Sequence, residues 1–225
     1  MSQQHPTFID RYTRPIDLVP ATTALLVVDM QNATGNPDLG LGRLLSEEGK
    51  AESTTYRFRR INNLLVPNIQ KLSAACRETG ARVIYITYGS EVEDYSDMPE
   101  HMVRIVKATH NRVGRPEHDI VTALTPEPGD LVFNKKSMGA FSSTGIDSGL
   151  RALGIETVLM TGVSTNNCVA MTAMEACDHQ YGVVMVSDAT GTDSDEMQNA
   201  TLTMLRRLWS RVLTTDEVIA ELKGA

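Results

Sequence analysis

Thr157-Val-Leu-Met-Thr161-Gly162-Val-Ser-Thr-Asn-Asn-Cys168-Val169 joins a short apolar, β-branched run to a glycine bend and then to residues compatible with a helix. The order reads as strand, turn and helix, the unit from which parallel sheets are built. It sets a thiol at the start of the helix, where unpaired backbone N–H groups and the helix dipole favour an anion. A thiolate there would have a lowered pKa, and the same N–H groups could hold an oxyanion. The ordinary alternative for Cys168 is a small buried residue packing a core helix.

Outward from this unit the same alternation recurs. Ala24–Val28 ends at Asp29, Val83–Thr87 follows Gly80, and Asp130–Phe133 follows the turn Pro126-Glu-Pro-Gly129. Val183–Val186 ends at Ser187-Asp188, and Val212-Leu213 is a last short run. Continuous apolar runs of this kind suit strands buried on both faces. Helical patterns lie between them: Tyr56–Thr79 with a reset near Pro67, Ile146–Leu153 closed by Gly154, and Asn166–Gln180 ended by Gly182. Another is Asp193–Trp209, opening with a capping box Asp193…Glu196, and the last runs from Thr214 or Thr215 through Leu222. The expected fold is α/β, a doubly wound, mostly parallel six-stranded sheet with helices on both faces. Residues 1–225 are expected to form one domain, with 1–20 as an N-terminal extension. The polar, irregular stretch 89–118 reads as a lid or oligomer loop.

Composition narrows the function. Hydrophobic residues at 41% and charged residues at 22% fit a globular protein with a sizeable core. A net charge of −7 without a long basic run argues against nucleic acid and anionic membranes as partners. The three cysteines, Cys76, Cys168 and Cys177, are too scattered for a disulfide framework or a zinc motif. The polar N-terminus, with Pro6 and Pro15, reads as lacking a signal peptide, and the apolar runs are too short to span a bilayer. The expected compartment is cytoplasmic.

In open parallel sheets, ligands collect beyond the carboxyl ends of the strands. Asp29, Lys135 and Cys168 all fall there. Singly, each has a plain structural explanation: Asp29 capping a turn, Lys135 and its neighbour Lys136 as solvated charges, Cys168 as core. Together they offer a base, a cation and a nucleophile.

Three blocks in this order, Leu25-Leu-Val-Val-Asp29-Met-Gln-Asn32, Lys135-Lys-Ser-Met-Gly-Ala-Phe141-Ser-Ser-Thr144 and Gly162-Val-Ser-Thr-Asn-Asn-Cys168-Val169, resemble the isochorismatase-like cysteine hydrolases. Asp188-Ala-Thr190 resembles the ending of that family's next strand, so the likeness runs from about Thr22 to Val212. It implies a catalytic triad of Asp29, Lys135 and Cys168. Lys135 is chosen over Lys136 because the family's Lys precedes the Phe, here Phe141, by six positions. It also implies a cis peptide between Val163 and Ser164, and an oxyanion hole formed by the N–H groups of Ser164 and Cys168. The activity implied is that of a cysteine amidohydrolase that cleaves a small amide, carbamoyl or ureido C–N bond through a thioester and releases ammonia or an amine.

Departures from the pattern matter equally. The common Asp-Met-Gln-Asn-Asp-Phe opening becomes Asp29-Met-Gln-Asn-Ala33-Thr34, so a Phe that often lines the substrate pocket is missing. The Asp-x-His metal motif of the family's nicotinamidases is absent between Gly35 and His110, and the five His are dispersed. No catalytic metal and no cofactor are expected. Members acting on isochorismate lack the nucleophilic Cys, so Cys168 argues against that chemistry. What remains is the carbamoyl and ureido branch (N-carbamoylsarcosine, biuret, triuret, ureidoacrylate). Asn32, Tyr88, Arg104, Phe141 and Thr165 are candidate substrate-binding residues. Arg104, Lys107, His110, Arg112 and Arg115 give the stretch 89–118 positive charge, and arginine there would suit a carboxylate or an extended urea carbonyl. The alternatives are a non-catalytic binding member of the fold, and a nicotinamidase-like or maleamate-type amidase. A redox-sensing thiol would need a nearby resolving cysteine, yet Cys177 lies nine positions on, about two and a half helical turns away. The expected partners are a small-molecule substrate and further copies of the chain, as a homodimer or homotetramer.

Overall fold

The structure, a computed structural model, describes residues 12–224; residues 1–11, within the expected N-terminal extension, lie outside them. Six strands, β1 (Thr23–Val28), β2 (Arg82–Tyr88), β3 (Leu131–Lys135), β4 (Thr157–Val163), β5 (Gly182–Gly191) and β6 (Arg211–Leu213), form one sheet in the order β3-β2-β1-β4-β5-β6. Every pairing is parallel. The six runs expected from the sequence are these six strands.

The helices are α1 (Asn32–Gly35), α2 (Gly40–Glu47), α3 (Thr55–Arg60), α4 (Val66–Thr79), α5 (Glu100–Ala108), α6 (Ile146–Ala152), α7 (Ala170–Asp178), α8 (Asp195–Leu205) and α9 (Thr215–Leu222). Alternate residues of β1 point to opposite faces, and each face has its own core. Leu25 and Val27 meet Leu65, Ile69 and Leu72, with Val218 and Leu222 of α9 on the same face. Ala24, Leu26 and Val28 belong with Ile146, Leu150, Ala173 and Leu205 on the other. Ile16 and Leu18 are buried in the first of these cores.

Several boundaries differ from the sequence reading. Thr55–Thr79 is a continuous helical run in which Ile61–Leu65 takes a π-turn between α3 and α4. Pro67 has no N–H for the carbonyl four residues back, and the wider turn just before it absorbs that gap. The helix after β4 stops at Asp178, where Gln180 supplies the left-handed residue at φ 78°; Gly182 instead opens β5. The cap of α8 is Ser194, whose Oγ accepts the Met197 N–H at 3.1 Å, so the Asp193…Glu196 box does not form. That helix ends at Leu205, short of Trp209. The expected box at the last helix does form, with Thr214 and Glu217 bonded reciprocally.

β5 runs on through Ser187-Asp188 to Gly191, with a register shift against β4 between Met160 and Gly162. Asp188 Oδ1 accepts the Thr215 N–H at 2.8 Å and so anchors α9. The stretch 89–118 is more ordered than its composition suggests. It contains α5, whose Met102 and Val106 close a small core with Tyr88 and Met98.

One glycine positions the site. Gly162 has φ 99°, and a Cβ there would lie 2.0 Å from the Val28 carbonyl oxygen. This close approach joins the ends of β1 and β4, which carry Asp29 and the turn to Cys168. Gly162→Ala is expected to lower unfolding free energy by about 2–4 kcal/mol, measured by urea denaturation, because contact and backbone strain act together.

Candidate active site

The strand order reverses between β1 and β4, the switch point at which ligands of open α/β sheets collect. Asp29 follows β1 directly, and Ser164 and Cys168 follow β4. Asp29 takes φ 52°, which an Asp tolerates better than most residues, and its N–H donates to the Ile86 carbonyl at 2.8 Å. Lys135 is the last residue of β3, two strands from β1, a separation of roughly 10 Å. Its long side chain crosses the face of Tyr88, with Nζ 5.0 Å from the ring centroid, and so spans that gap.

The three side chains converge. Lys135 Nζ stands 3.1 Å from Asp29 Oδ2 and donates to Cys168 Sγ at 3.3 Å and to the Ser137 carbonyl at 3.0 Å. Lys135 has no solvent exposure, Asp29 is 2% exposed and Cys168 8%. Lys136 points elsewhere, to Glu91 and Asp97 at the surface. Met138 Sδ lies 3.8 Å from Cys168 Sγ.

The electrostatics correct one expectation. Burial, reinforced by the Asp29 charge, pushes the Cys168 thiol up to about 12 despite Lys135 nearby. The helix start therefore does not hold a resting thiolate. Cys168 sits four residues into the turn Thr165–Val169, which precedes α7, and is largely buried. Burial raises the Asp29 carboxyl above its ordinary value, against the pull of Lys135. Burial would lower Lys135, but the Asp29 carboxyl beside it, with a smaller contribution from Cys168, outweighs burial and raises it. The site thus sets a thiol whose pKa is raised beside Asp29 and Lys135, which face each other as an ion pair at 3.1 Å.

The Val163–Ser164 peptide is cis. The Ser164 carbonyl accepts the N–H groups of Asn167 and Val169, passing over that of Cys168. Among the described residues nothing accepts the Ser164 N–H. Asp29, Tyr88, Ser164 and Cys168 all line a cavity of about 260 Å³, walled on its outer side by Leu41 of α2 and by Met102 and Ile105 of α5. A larger hollow of about 650 Å³ along α8, bounded by Met204 and Trp209, contains none of these groups.

Of the candidate substrate-binding residues, Tyr88 is at the cavity. The others are placed away from it. Asn32 donates to the Pro116 carbonyl at 2.9 Å, and Arg104 is on the exposed side of α5. Phe141 packs in the core against the rings of His179 and Tyr181. Buried Thr165 donates to Gln198 Oε1 at 2.6 Å. Sequence reasoning passed over Arg57, Asp193 and Met138, all of which line the cavity. Nothing in Thr55-Tyr-Arg-Phe-Arg-Arg60 separates buried Arg57 from exposed Arg59. Among the described residues, no three of His, Cys, Asp and Glu are grouped to hold a metal ion. Among the described residues, no helix is long and apolar enough to cross a membrane.

Residues 23–217 match the isochorismatase domain. The chain belongs to the isochorismatase-like cysteine hydrolase family. It is 34% identical over 190 residues to the ureidoacrylate amidohydrolase RutB of Methylobacterium radiotolerans, covering 78% of this chain and 69% of that one. The corresponding protein of Rhizobium rhizogenes is 30% identical over 227 residues, covering 94% and 87%. Among solved structures of the family, a cysteine hydrolase from Pseudomonas syringae pv. phaseolicola superposes with a TM-score of 0.75 at 26% identity, covering 93% of this chain and 96% of that one. N-carbamoylsarcosine amidase from Thermoplasma acidophilum gives 0.65 at 26% identity, covering 87% and 97%.

Proposed function

We propose that this hydrolase of non-peptide C–N bonds is a cytoplasmic cysteine amidohydrolase. It cleaves a small amide, carbamoyl or ureido compound with Cys168 as nucleophile, Asp29 as general base and acid, and Lys135 as the cation that holds the site charge. The observation that carries the reading is the single ammonium standing 3.1 Å from Asp29 Oδ2 and 3.3 Å from the Cys168 sulfur, with Asp29 and Cys168 both lining a small cavity.

As the thiol attacks the carbonyl carbon, its proton passes to Asp29, so the thiolate exists only as the new C–S bond forms. The oxyanion is held by the N–H groups of Ser164 and Cys168, of which the first has no acceptor among the described residues. Asp29 then gives the proton to the departing nitrogen, the C–N bond breaks, and a thioester remains on Sγ. Water, losing its proton to Asp29, attacks the thioester; the acid product leaves, and the proton returns to sulfur. Each step uses residues of this chain, and the activity is expected to survive exhaustive chelation.

The ureidoacrylate amidohydrolases and the N-carbamoylsarcosine amidase to which the chain is similar support a carbamoyl or ureido substrate. The test is ammonia release from N-carbamoyl amino acids, biuret, triuret, ureidoacrylate, maleamate and nicotinamide. Turnover of a carbamoyl or ureido compound is the expected result. Turnover of nicotinamide or maleamate alone would move the protein to another branch, and silence across the panel would contradict the reading.

The titration of the site gives a pH profile. Turnover requires Asp29 ionised and the thiol protonated. Because burial raises the Asp29 carboxyl, kcat/KM should fall with acid through a group titrating above the ordinary carboxylate range. With Lys135 raised above 10.5 and Cys168 at about 12, no alkaline fall is expected between pH 7 and about 9.5. A loss centred near pH 8 would indicate a resting thiolate mechanism instead.

A further inference from the structure

The cavity has a second charged end that the chemistry above does not use. Arg57, on α3, is buried, with its side chain 7% exposed. Its Nε donates to the Thr34 carbonyl at 3.1 Å, and its Nη1 to Ser164 Oγ at 2.9 Å and to Asp193 Oδ1 at 3.0 Å. Its Nη2 has no acceptor among the described residues. The guanidinium is thus fixed along one edge and unengaged at the other, and it lines the cavity that holds Cys168. Among the described residues its ion-pair partner is Asp193, whose side chain is 69% exposed, so most of that countercharge is solvated. A buried cation with a free pair of N–H donors, bonded to Ser164 whose N–H is assigned above to the oxyanion, is matched by an anion with planar oxygens.

We propose that Arg57 is a specificity-determining residue that binds a carboxylate of the substrate through Nη2, with Asp193 competing for the same guanidinium. The proposal rests on the cysteine amidohydrolase reading and names its substrate class: a ureido or carbamoyl acid, the acid group lying on the Ser164 side of the scissile bond. The exposed Arg104 takes no part. Asp193, as a negative charge next to the anion's seat, weakens acid binding, and removing its charge strengthens it.

The test separates this proposal from the parent reading by measuring binding without turnover. N-carbamoyl-β-alanine and its methyl ester are titrated calorimetrically into Cys168→Ser protein. The acid is expected to bind about 10- to 100-fold more tightly than the ester, the range of one charge-assisted hydrogen-bonded pair. Adding Arg57→Gln should remove the difference, and Arg57→Lys should restore part of it. Adding Asp193→Asn, a change at an exposed side chain, should widen it; this variant carries the test if Arg57→Gln does not fold. Equal affinities for acid and ester, an acid preference that survives Arg57→Gln, or one that Asp193→Asn leaves unchanged or narrows would overturn the proposal. In parallel, wild-type ammonia release is measured from both compounds. Equal release from the two would leave the amidohydrolase reading standing while overturning this proposal. Acid-selective binding without release from any substrate of the panel would do the reverse.

Discussion

Cys168→Ala protein is expected to release ammonia at least about 10⁴-fold more slowly than the wild type, with its unfolding transition shifted little. The rate effect is large because no other thiol lines the cavity. Met138, the nearest sulfur, is a thioether without a proton to give up. Cys76 is buried in the core of the opposite sheet face, and Cys177 donates to the Trp209 carbonyl. The stability effect is small because Ala removes one sulfur from a residue that already borders the cavity. It also leaves the Lys135–Asp29 pair intact, with Lys135 still bonded to the Ser137 carbonyl. Circular dichroism and a thermal melt on the same preparation check that the loss is chemical.

Lys135→Met should abolish activity as well, but at a cost in stability. It leaves the Asp29 carboxylate buried without its countercharge, and breaking a buried pair from one side costs about 3–5 kcal/mol. The sign with pH follows from the linkage. Loss of Lys135 removes the largest influence lowering the Asp29 pKa, so the folded-state value rises further above the unfolded one. The folded state then binds the proton more tightly, so stability falls as pH rises through that interval and is regained as pH falls below it. Urea denaturation should therefore show a larger deficit at pH 8 than at pH 5. Adding Asp29→Asn removes the stranded charge with a residue that accepts the positive φ of this position. The double variant should recover most of the stability at pH 8 and none of the activity. A Lys135→Met protein as stable as wild type at both pH values would mean that the pair is not buried as described.

The strands were legible because both faces of this sheet are covered. A strand such as Ala24-Leu-Leu-Val-Val28 alternates its side chains between two cores and therefore reads as an unbroken apolar run. The short helices α2 and α5 were missed for a related reason. α2 begins at a glycine with φ 48° and buries only glycines, and α5 buries Met102 and Val106 within a polar stretch.

Placing Asp29, Lys135 and Cys168 at one sheet edge needed only the strand ends, which local sequence marks. Separating Lys135 from Lys136 needed the spacing to Phe141, because adjacent lysines at a strand end look alike. Arg57 was not legible at all. Its partners Ser164 and Asp193 lie 107 and 136 positions away, and only the folded chain brings them together. The protonation of Cys168 was misjudged because a helix start suggests a stabilised anion, whereas the raised pKa comes from burial and from the Asp29 carboxylate that follows β1.

The most direct measurement is acid quenching during turnover, followed by intact-mass analysis and peptide mapping. Cysteine amidohydrolysis requires a transient mass gain equal to the substrate's acyl group, mapped to Cys168 and absent from Cys168→Ala protein. Steady ammonia release with no adduct on Cys168 at any quench time, or with the adduct on another residue, would contradict the assignment of Cys168 as the nucleophile.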